Sequence, residues 1–180
     1  MLNVWRISGL ATAALALAGP TAASDRSWQA VADIGVVSLT VGALGASAWQ
    51  GDWKGASELG LSVGATAAET WGLKHAFPET RPNRDNRRSF PSGHTAVAFA
   101  EAGYLQQRYG WQVGLPAAAL ATLVGVARVQ SHDHHWYDVV VGAALGEVTA
   151  FVITQPKDGS VQVFPWADSH GGGLSLAARF

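Results

Sequence analysis

Three short segments of this sequence hold most of the side chains that could carry out chemistry. The first runs from Lys74 to Pro82, the second from Pro91 to His94, and the third from Arg128 to Asp138. Together they contain cations, a serine, histidines and a carboxylate, which are the residue types that bind an oxyanion and move protons around it. The segments therefore predict an anion site with acid–base chemistry.

The cations of these segments fall into two groups. Arg128 ends an otherwise apolar stretch, where burying a guanidinium is costly unless an anion meets it. Guanidinium groups suit bidentate contact with phosphate, and a lysine adds a point charge. Lys74, Arg81 and Arg128 are therefore candidates for an anion site, with a solvated loop or a topology-setting positive patch as the alternative. The remaining arginines of the loop are interpreted as a solvated patch: Arg84, Arg87 and Arg88.

The segment Pro91-Ser92-Gly93-His94 stands directly before an apolar stretch with a helical pattern. Ser92 is predicted to cap that helix, and Gly93 would let the backbone approach a ligand. Because a helix N-terminus attracts anions, His94 would lie beside one and could give it a proton near neutral pH. As structure alone, the segment is a turn with a helix cap.

His134 and Asp138 are four residues apart, a spacing that brings two side chains together on one face of a helix. An aspartate that accepts from one ring nitrogen leaves the other nitrogen free as a lone-pair donor. His134 is therefore a candidate nucleophile, and Asp138 a candidate orienting group. The run 132–135 leaves a metal site open as the alternative. It lacks a histidine pair at helical spacing, and we predict neither a metal nor another cofactor.

The elements that must position these residues are mostly helical. Apolar stretches predict helices over Asp33 to Gln50, Lys54 to Lys74, Thr95 to Tyr109, Pro116 to Arg128 and Trp136 to Ile153. Polar stretches at 75–93 and 129–135 are predicted to be loops. After residue 156 the alternation around three successive glycines resembles a short hairpin. The expected fold is all-α, a compact bundle of about five to six helices with a short hairpin-like C-terminal tail.

The N-terminus has the order of a secretory signal peptide. Arg6 precedes the apolar run Ile7 to Ala18, and small residues follow a Gly-Pro helix breaker. The alternatives are an uncleaved membrane anchor or a first core helix. We therefore expect a signal peptide at 1–23, a helical domain at 24–156 and a tail at 157–180, in a protein exported to the periplasm or the inner membrane.

The composition excludes several classes of protein. Of the 180 residues, 14% are charged and 48% are hydrophobic, which argues against disorder. The 12 Lys+Arg against 13 Asp+Glu lack the basic excess of a nucleic-acid binder. With no Cys there is no disulfide framework and no thiol nucleophile. Two uncharged stretches approach the length that spans a bilayer, so we expect membrane embedding or association.

Taken together, the segments closely resemble the signature of the type 2 phosphatidic acid phosphatase and vanadium haloperoxidase superfamily. That signature is K-x6-R-P, then P-S-G-H, then S-R-x5-H-x3-D. The matching residues are Lys74, Arg81, Pro82, Pro91, Ser92, Gly93, His94, Arg128, His134 and Asp138. Ala127 departs from the pattern, which has a serine there. One lost hydrogen bond would cost about 1 kcal/mol and would remove no reacting group.

The resemblance implies a role for each matched side chain. Lys74, Arg81 and Arg128 would hold the phosphate oxygens, with added hydrogen bonds from Ser92 and the Gly93 N–H. These positive groups neutralise the developing charge, so the chemistry would need no metal.

The catalytic roles that the resemblance implies fall on three residues. His134 would attack phosphorus to form a phosphohistidine, and Asp138 would orient it. His94 would protonate the leaving alkoxide and then activate water.

The expected activity is hydrolysis of a phosphomonoester or diphosphate. A lipid phosphate on the periplasmic side suits the apolar helices. Four aromatic residues flank the motifs: Trp71, Phe77, Trp136 and Tyr137. They could line a groove for an acyl chain, or they could lie in the core or at the membrane interface. A broad-specificity soluble periplasmic acid phosphatase is the close alternative. Vanadate-dependent halide oxidation is a weaker alternative, because the enzymes of that branch are expected to be longer chains. A non-catalytic membrane or binding protein is also weaker, because every reacting group is present. We expect no nucleic-acid partner.

Overall fold

The computed structural model describes residues 24–157, 161–168 and 170–178. It contains five helices followed by an antiparallel hairpin. The helices are α1 (Asp25–Trp49), α2 (Trp53–Ala76), α3 (Gly93–Tyr109), α4 (Trp111–Gln130) and α5 (Trp136–Ile153), and the strands are β1 (Val161–Asp168) and β2 (Gly171–Ala178). The predicted all-α bundle with a hairpin-like tail is confirmed. The segment expected to be a signal peptide lies outside the described residues.

Two helices begin earlier than the sequence pattern predicted. α1 starts at Asp25 rather than Asp33, because Ser24 provides the N-cap and accepts a hydrogen bond from the Ser27 N–H at 3.3 Å. α4 starts at Trp111 and keeps Pro116 within its second turn. A proline that close to a helix start removes one backbone hydrogen bond without ending the helix.

The helices run up and down, so that alternate helix ends meet. We call the end that carries the loops 77–92 and 131–135 the loop end, and the opposite end, with the turns at 50–52 and Gly110, the turn end. The first turns of α1, α3 and α5 and the last turns of α2 and α4 meet at the loop end. All three reactive segments therefore lie at one end of the bundle.

Glycines on α5 let this helix approach α3 unusually closely. A Cβ atom on Gly142 would stand 2.5 Å from the Ser92 carbonyl oxygen, and one on Gly146 would stand 2.0 Å from that of Ala96. Real side chains do not fit at such distances, so the contact requires glycine. This backbone-to-backbone packing fixes the start of α3 against α5 at the loop end.

A buried ionic cluster closes the turn end. Arg108 donates to both carboxylate oxygens of Asp52 at 2.6 and 2.7 Å and to the Gln155 carbonyl at 2.7 Å. It also pairs with Glu58 at 3.5 Å, and Tyr109 donates to Asp52 at 3.0 Å. The hydrogen bonds from Arg108 hold the pKa of Asp52 well below its usual range, against the opposing effect of burial. The cluster ties α2, α3 and the chain after α5 together.

The outer surface of the bundle has the features of a membrane protein. α1, α4 and α5 are long and apolar enough to cross a bilayer. Exposed tryptophans lie at both ends of the bundle, with Trp53 at the turn end of α2 and Trp71 near its loop end. At 1.5 Å per residue these two lie about 27 Å apart along α2, close to the roughly 30 Å of a hydrocarbon core. Tryptophans favour the two membrane interfaces, and this spacing matches the separation between them.

Candidate active site

The loop end brings every predicted site residue into one region. Lys74 lies in the last turn of α2, Arg128 in the last turn of α4, and Asp138 in the first turn of α5. The remaining predicted residues come from the loops and from the start of α3: Arg81, Ser92, Gly93, His94 and His134.

His134 and Asp138 are buried beside each other. The two residues are 2% and 0% exposed, and Nδ1 of the histidine lies 3.5 Å from Oδ2 of the aspartate. That separation is longer than a good hydrogen bond, as is common at active sites without substrate. The other Asp138 oxygen has no hydrogen-bond partner among the described residues. Asp138 is held instead by the Ser89 hydroxyl at 2.5 Å and the His135 N–H at 2.9 Å.

The electrostatic surroundings of His134 keep its ring neutral. Burial and the positive charges of Arg128, Lys74 and Arg81 lower the pKa of His134, with only Asp138 acting in the opposite direction. A neutral imidazole retains a lone pair. Such a ring can attack an electrophile as soon as the substrate arrives.

Asp133 is the partner of the partly buried Arg81 and of the buried Arg128. Its two oxygens lie 3.1 Å from Nη1 of Arg81 and 3.1 Å from Nη2 of Arg128. Three further donors hold the same carboxylate at 2.8 to 3.2 Å: Gln29, Asn83 and Ser131. The Nε–H groups of both arginines are buried and have no hydrogen-bond partner among the described residues. Asp133 thus fixes the arginines while donors remain available for an anion.

This role of Asp133 was not predicted from the sequence, where the residue stood only as part of a possible metal cluster. A carboxylate standing between Arg128 and His134 in a cation-rich segment was the available signal. Ala127, which stands where the family signature has a serine, lies in the core, and its side chain is fully buried.

Lys74 is tied to the loop that leads into α3. Its Nζ donates to the carbonyl oxygens of Pro91 at 2.5 Å and Arg88 at 2.9 Å. Burial, aided by the charge of Arg81, lowers the pKa of Lys74 to about 8. An anion would therefore compete with backbone carbonyls for this ammonium group.

The start of α3 offers open space for an anion, although not through the predicted cap. Ser92 is the N-cap residue, but its buried hydroxyl bonds to the Thr95 hydroxyl at 2.9 Å instead of a backbone N–H, so the predicted side-chain cap is wrong. The Ser92 N–H donates to the Asp138 carbonyl at 3.0 Å. A Cβ on Gly93 would meet nothing within 4 Å. The space beside the Gly93 Cα is therefore open, at a helix N-terminus that favours an anion.

His94 stands at the open side of the site and is paired with a residue the sequence analysis did not consider. Its Nε2 lies 3.0 Å from Oδ1 of Asp33 on α1. Burial and the charge of Arg128 lower the pKa of His94, and Asp33 and Asp133 act in the opposite direction. Nothing in the sequence near His94 signals this contact, because α1 is distant along the chain.

The structure also shows the exposure of the remaining loop arginines and the residues that could bind a metal ion. Arg84, Arg87 and Arg88 are exposed, which confirms the solvated patch. Ligand atoms of Glu79, His135 and Asp138 lie within 4.8 Å of one another and could hold a metal ion. Tyr137 and Ser89 already donate to these carboxylates.

Two apolar grooves flank the start of α5 near the site. One, of about 420 Å³, is lined by residues of α3, α4 and α5: Phe99, Val126, Val129, Trp136 and Val140. The other, of about 680 Å³, lies between α2 and α5 and is lined by Leu73, Phe77, Phe90 and Val141. Of the aromatics considered for an acyl groove, Trp136 and Phe77 line these grooves. Tyr137 instead stacks on His135, and Trp71 packs against His75.

Comparison with known proteins gives consistent matches. The sequence profile of the PAP2 superfamily matches residues 55–159. A lipid A 4'-phosphatase of Helicobacter pylori is 33% identical over 57% of this chain and 58% of its own length. A Schizosaccharomyces pombe protein, described as a "probable diacylglycerol pyrophosphate phosphatase 1", is 35% identical over 48% of this chain.

The match extends to a solved structure. The crystal structure of Aquifex aeolicus LpxE superposes with a TM-score of 0.60 at 25% identity, covering 70% of this chain and 82% of that one. The two curated relatives are matched over 58% and 34% of their own lengths, so this chain spans less than two-thirds of either.

Proposed function

Because the chain belongs to the PAP2 superfamily, we propose that it is a phosphoric ester hydrolase that removes phosphate from a lipid. Its relatives include a lipid A 4'-phosphatase. The observation that carries the proposal is the buried His134 beside Asp138 and close to three cations, two of which have buried donors with no partner among the described residues. An oxyanion of the size of a phosphate supplies the acceptors that those donors lack.

In the first half of the reaction, the phosphate binds to Lys74, Arg81 and Arg128 and to the backbone N–H of Gly93 at the start of α3. Nε2 of His134 attacks phosphorus, the bond from phosphorus to the leaving oxygen breaks, and His94 gives its proton to the departing alkoxide. Asp138 accepts the Nδ1 proton of His134 in a hydrogen bond and stabilises the charge that forms on the ring. The cations stabilise the charge on the transferred group.

In the second half, His94 acts as a base. It takes a proton from a water molecule, the water oxygen attacks phosphorus, and the N–P bond to His134 breaks. Inorganic phosphate leaves, and both histidines return to their starting states. Four positive or dipolar groups at the phosphate make this route independent of a metal ion.

The substrate is a lipid carrying a phosphate or diphosphate, and the site faces the periplasm. Support for the lipid comes from the three apolar helices, the tryptophans at the loop end and the two apolar grooves beside the site. Support for the periplasmic side comes from the signal-like sequence of residues 1–23.

The test is phosphate release by the detergent-purified chain and its His134→Ala variant, with EDTA present. His132→Ala is the matched control, because this neighbouring histidine is exposed and pairs with Asp25 outside the site. Substrates are phosphatidic acid, diacylglycerol pyrophosphate, lipid A and p-nitrophenyl phosphate. We expect activity in the wild type and the control and a loss of at least about 10³-fold in His134→Ala. Activity in His134→Ala would overturn the nucleophile, and release from the soluble ester alone would overturn the lipid substrate.

A further inference from the structure

α1 lies outside the part of the chain that matches the family profile, yet it contacts the site directly. The matched residues begin at 55, and α1 ends at Trp49. Gln29 on this helix donates to the Asp133 carboxylate at 3.1 Å, and Asp33, one turn further along, lies 3.0 Å from Nε2 of His94. The same face of the helix therefore meets both the arginine-holding carboxylate and the proposed proton donor.

We infer that Asp33 is a positioning residue for His94, which it orients and keeps able to carry a proton at the leaving oxygen. This inference rests on the proposed phosphatase activity. The contact engages Nε2, so Asp33 fixes the plane of the ring while Nδ1 remains available. The pair resembles the arrangement of His134 with Asp138, in which a carboxylate orients a reacting imidazole.

The charges around His94 explain why such a partner is needed. Burial of the His94 ring disfavours its protonation, and so does the charge of Arg128 on α4, whereas Asp33 of α1 and Asp133 of the 131–135 loop favour it. Asp133 already pairs with Arg81 and Arg128. Asp33 is thus the carboxylate in contact with His94 that opposes the field of the phosphate-binding cations.

The chain offers a matched control for this role. Asp25 also lies on α1, two turns before Asp33, and its carboxylate lies 3.2 Å from His132 in an exposed pair. Asp25→Asn and Asp33→Asn therefore remove the same charge from the same helix and break the same type of contact. Only the second substitution touches a histidine with a proposed catalytic role.

The experiment measures kcat on phosphatidic acid and on p-nitrophenyl phosphate across pH. The alkoxide leaving group of phosphatidic acid needs a proton, whereas p-nitrophenolate leaves without one. We expect Asp33→Asn to lower kcat by about tenfold on phosphatidic acid and by about twofold on p-nitrophenyl phosphate. These losses are a fraction of the rate enhancement of about 10²–10⁴ that a general acid supplies. The alkaline limb of the kcat–pH profile should move to lower pH by about half a unit, because Asp33 favours protonation of His94. Asp33→Glu should recover most of both effects, and Asp25→Asn should show neither.

Several outcomes would overturn the inference. If Asp33→Asn matches Asp25→Asn on both substrates, Asp33 does not act on His94. If it loses the same factor on both substrates with an unchanged pH profile, the role is only structural, and thermal unfolding of Asp33→Asn would then show whether the packing of α1 is weakened. An inactive wild-type chain would remove the proposed function itself, which is a separate result from a selective failure of Asp33→Asn.

Discussion

At the residue scale, Asp133 connects two arginines of the proposed site that belong to different elements. One comes from the loop 77–92 and the other from the end of α4, and a single carboxylate pairs with both. Removing its charge would leave the buried Arg128 and the partly buried Arg81 without this counter-ion, which would destabilise the fold and displace the two guanidinium groups.

We expect Asp133→Asn to lower kcat/KM by about tenfold, mainly through a higher KM, because misplaced arginines weaken binding of the phosphate in ground and transition states alike. Steady-state kinetics on the preferred substrate measure this split. Asp85→Asn is the control, because it removes the same charge from an exposed position in the neighbouring loop. An unchanged KM in Asp133→Asn would contradict the role.

The pH dependence follows from the directions of two pKa shifts. The proposed acid His94 has a pKa below the usual 6.5, and it must be protonated to act, so kcat/KM should fall as pH rises through that pKa. Lys74, with a pKa of about 8, loses its charge at higher pH and should steepen the decline. A pH profile of kcat/KM tests both steps. Lys74→Arg, which stays charged, should remove the second inflection, and its persistence would assign that step to another group.

At the element scale, the contact between α3 and α5 controls the position of Ser92. Gly142 faces the Ser92 carbonyl, and Gly146 faces that of Ala96 one turn deeper in the bundle. A methyl group at either position forces the helices apart, since the opposing atoms are backbone and cannot rotate away.

We expect Gly142→Ala and Gly146→Ala each to destabilise the bundle by about 1–3 kcal/mol or more. Gly142→Ala should also lose activity out of proportion to its stability, because it displaces the start of α3 at the site. Thermal unfolding in detergent and activity below the transition separate the two effects. Gly64→Ala in α2, where a Cβ meets nothing within 4 Å, should be neutral or stabilising. Equal activity per folded molecule in both α5 variants would contradict the argument for Ser92.

The helices and their loops could be predicted because local signals mark them. The apolar stretches end at recognisable loops: a Gly-Asp turn, a proline-bounded polar segment and a histidine-rich segment. The spacing of the motif residues then indicates which side chains belong to the site. Three features could not be predicted. Asp33 meets His94 only through tertiary packing, and Asp133 joins two arginines from separate elements. The Ser92 hydroxyl bonds to the Thr95 hydroxyl and not to a backbone N–H of its own helix.

At the scale of the whole molecule, the ionic cluster around Arg108 and the proposed active site occupy opposite ends of the bundle. Arg108 is buried with Asp52 and Glu58, and these three residues link α2 to the end of α3. The depressed pKa of Asp52 means that its contribution to stability is present above its unfolded pKa and is lost only as pH falls far into the acid range.

We expect Arg108→Leu to lower the free energy of unfolding by about 3–5 kcal/mol, because it leaves two carboxylates buried without their cation. The kcat of the molecules that remain folded should stay near that of the wild type. Chemical or thermal unfolding together with active-site titration measures these two quantities. A parallel loss of kcat per folded site would show that the two ends are coupled.

The exposed tryptophans at the loop end have a consequence for how a lipid substrate would reach the proposed active site. If the site lies at the level of the lipid headgroups, substrate molecules reach it by lateral diffusion within one leaflet, and encounters occur in two dimensions. The turnover rate would then follow the mole fraction of substrate in the bilayer and would be insensitive to the bulk concentration at constant surface composition. Diluting the substrate with inert lipid would slow the reaction, even though the number of substrate molecules in the tube is unchanged.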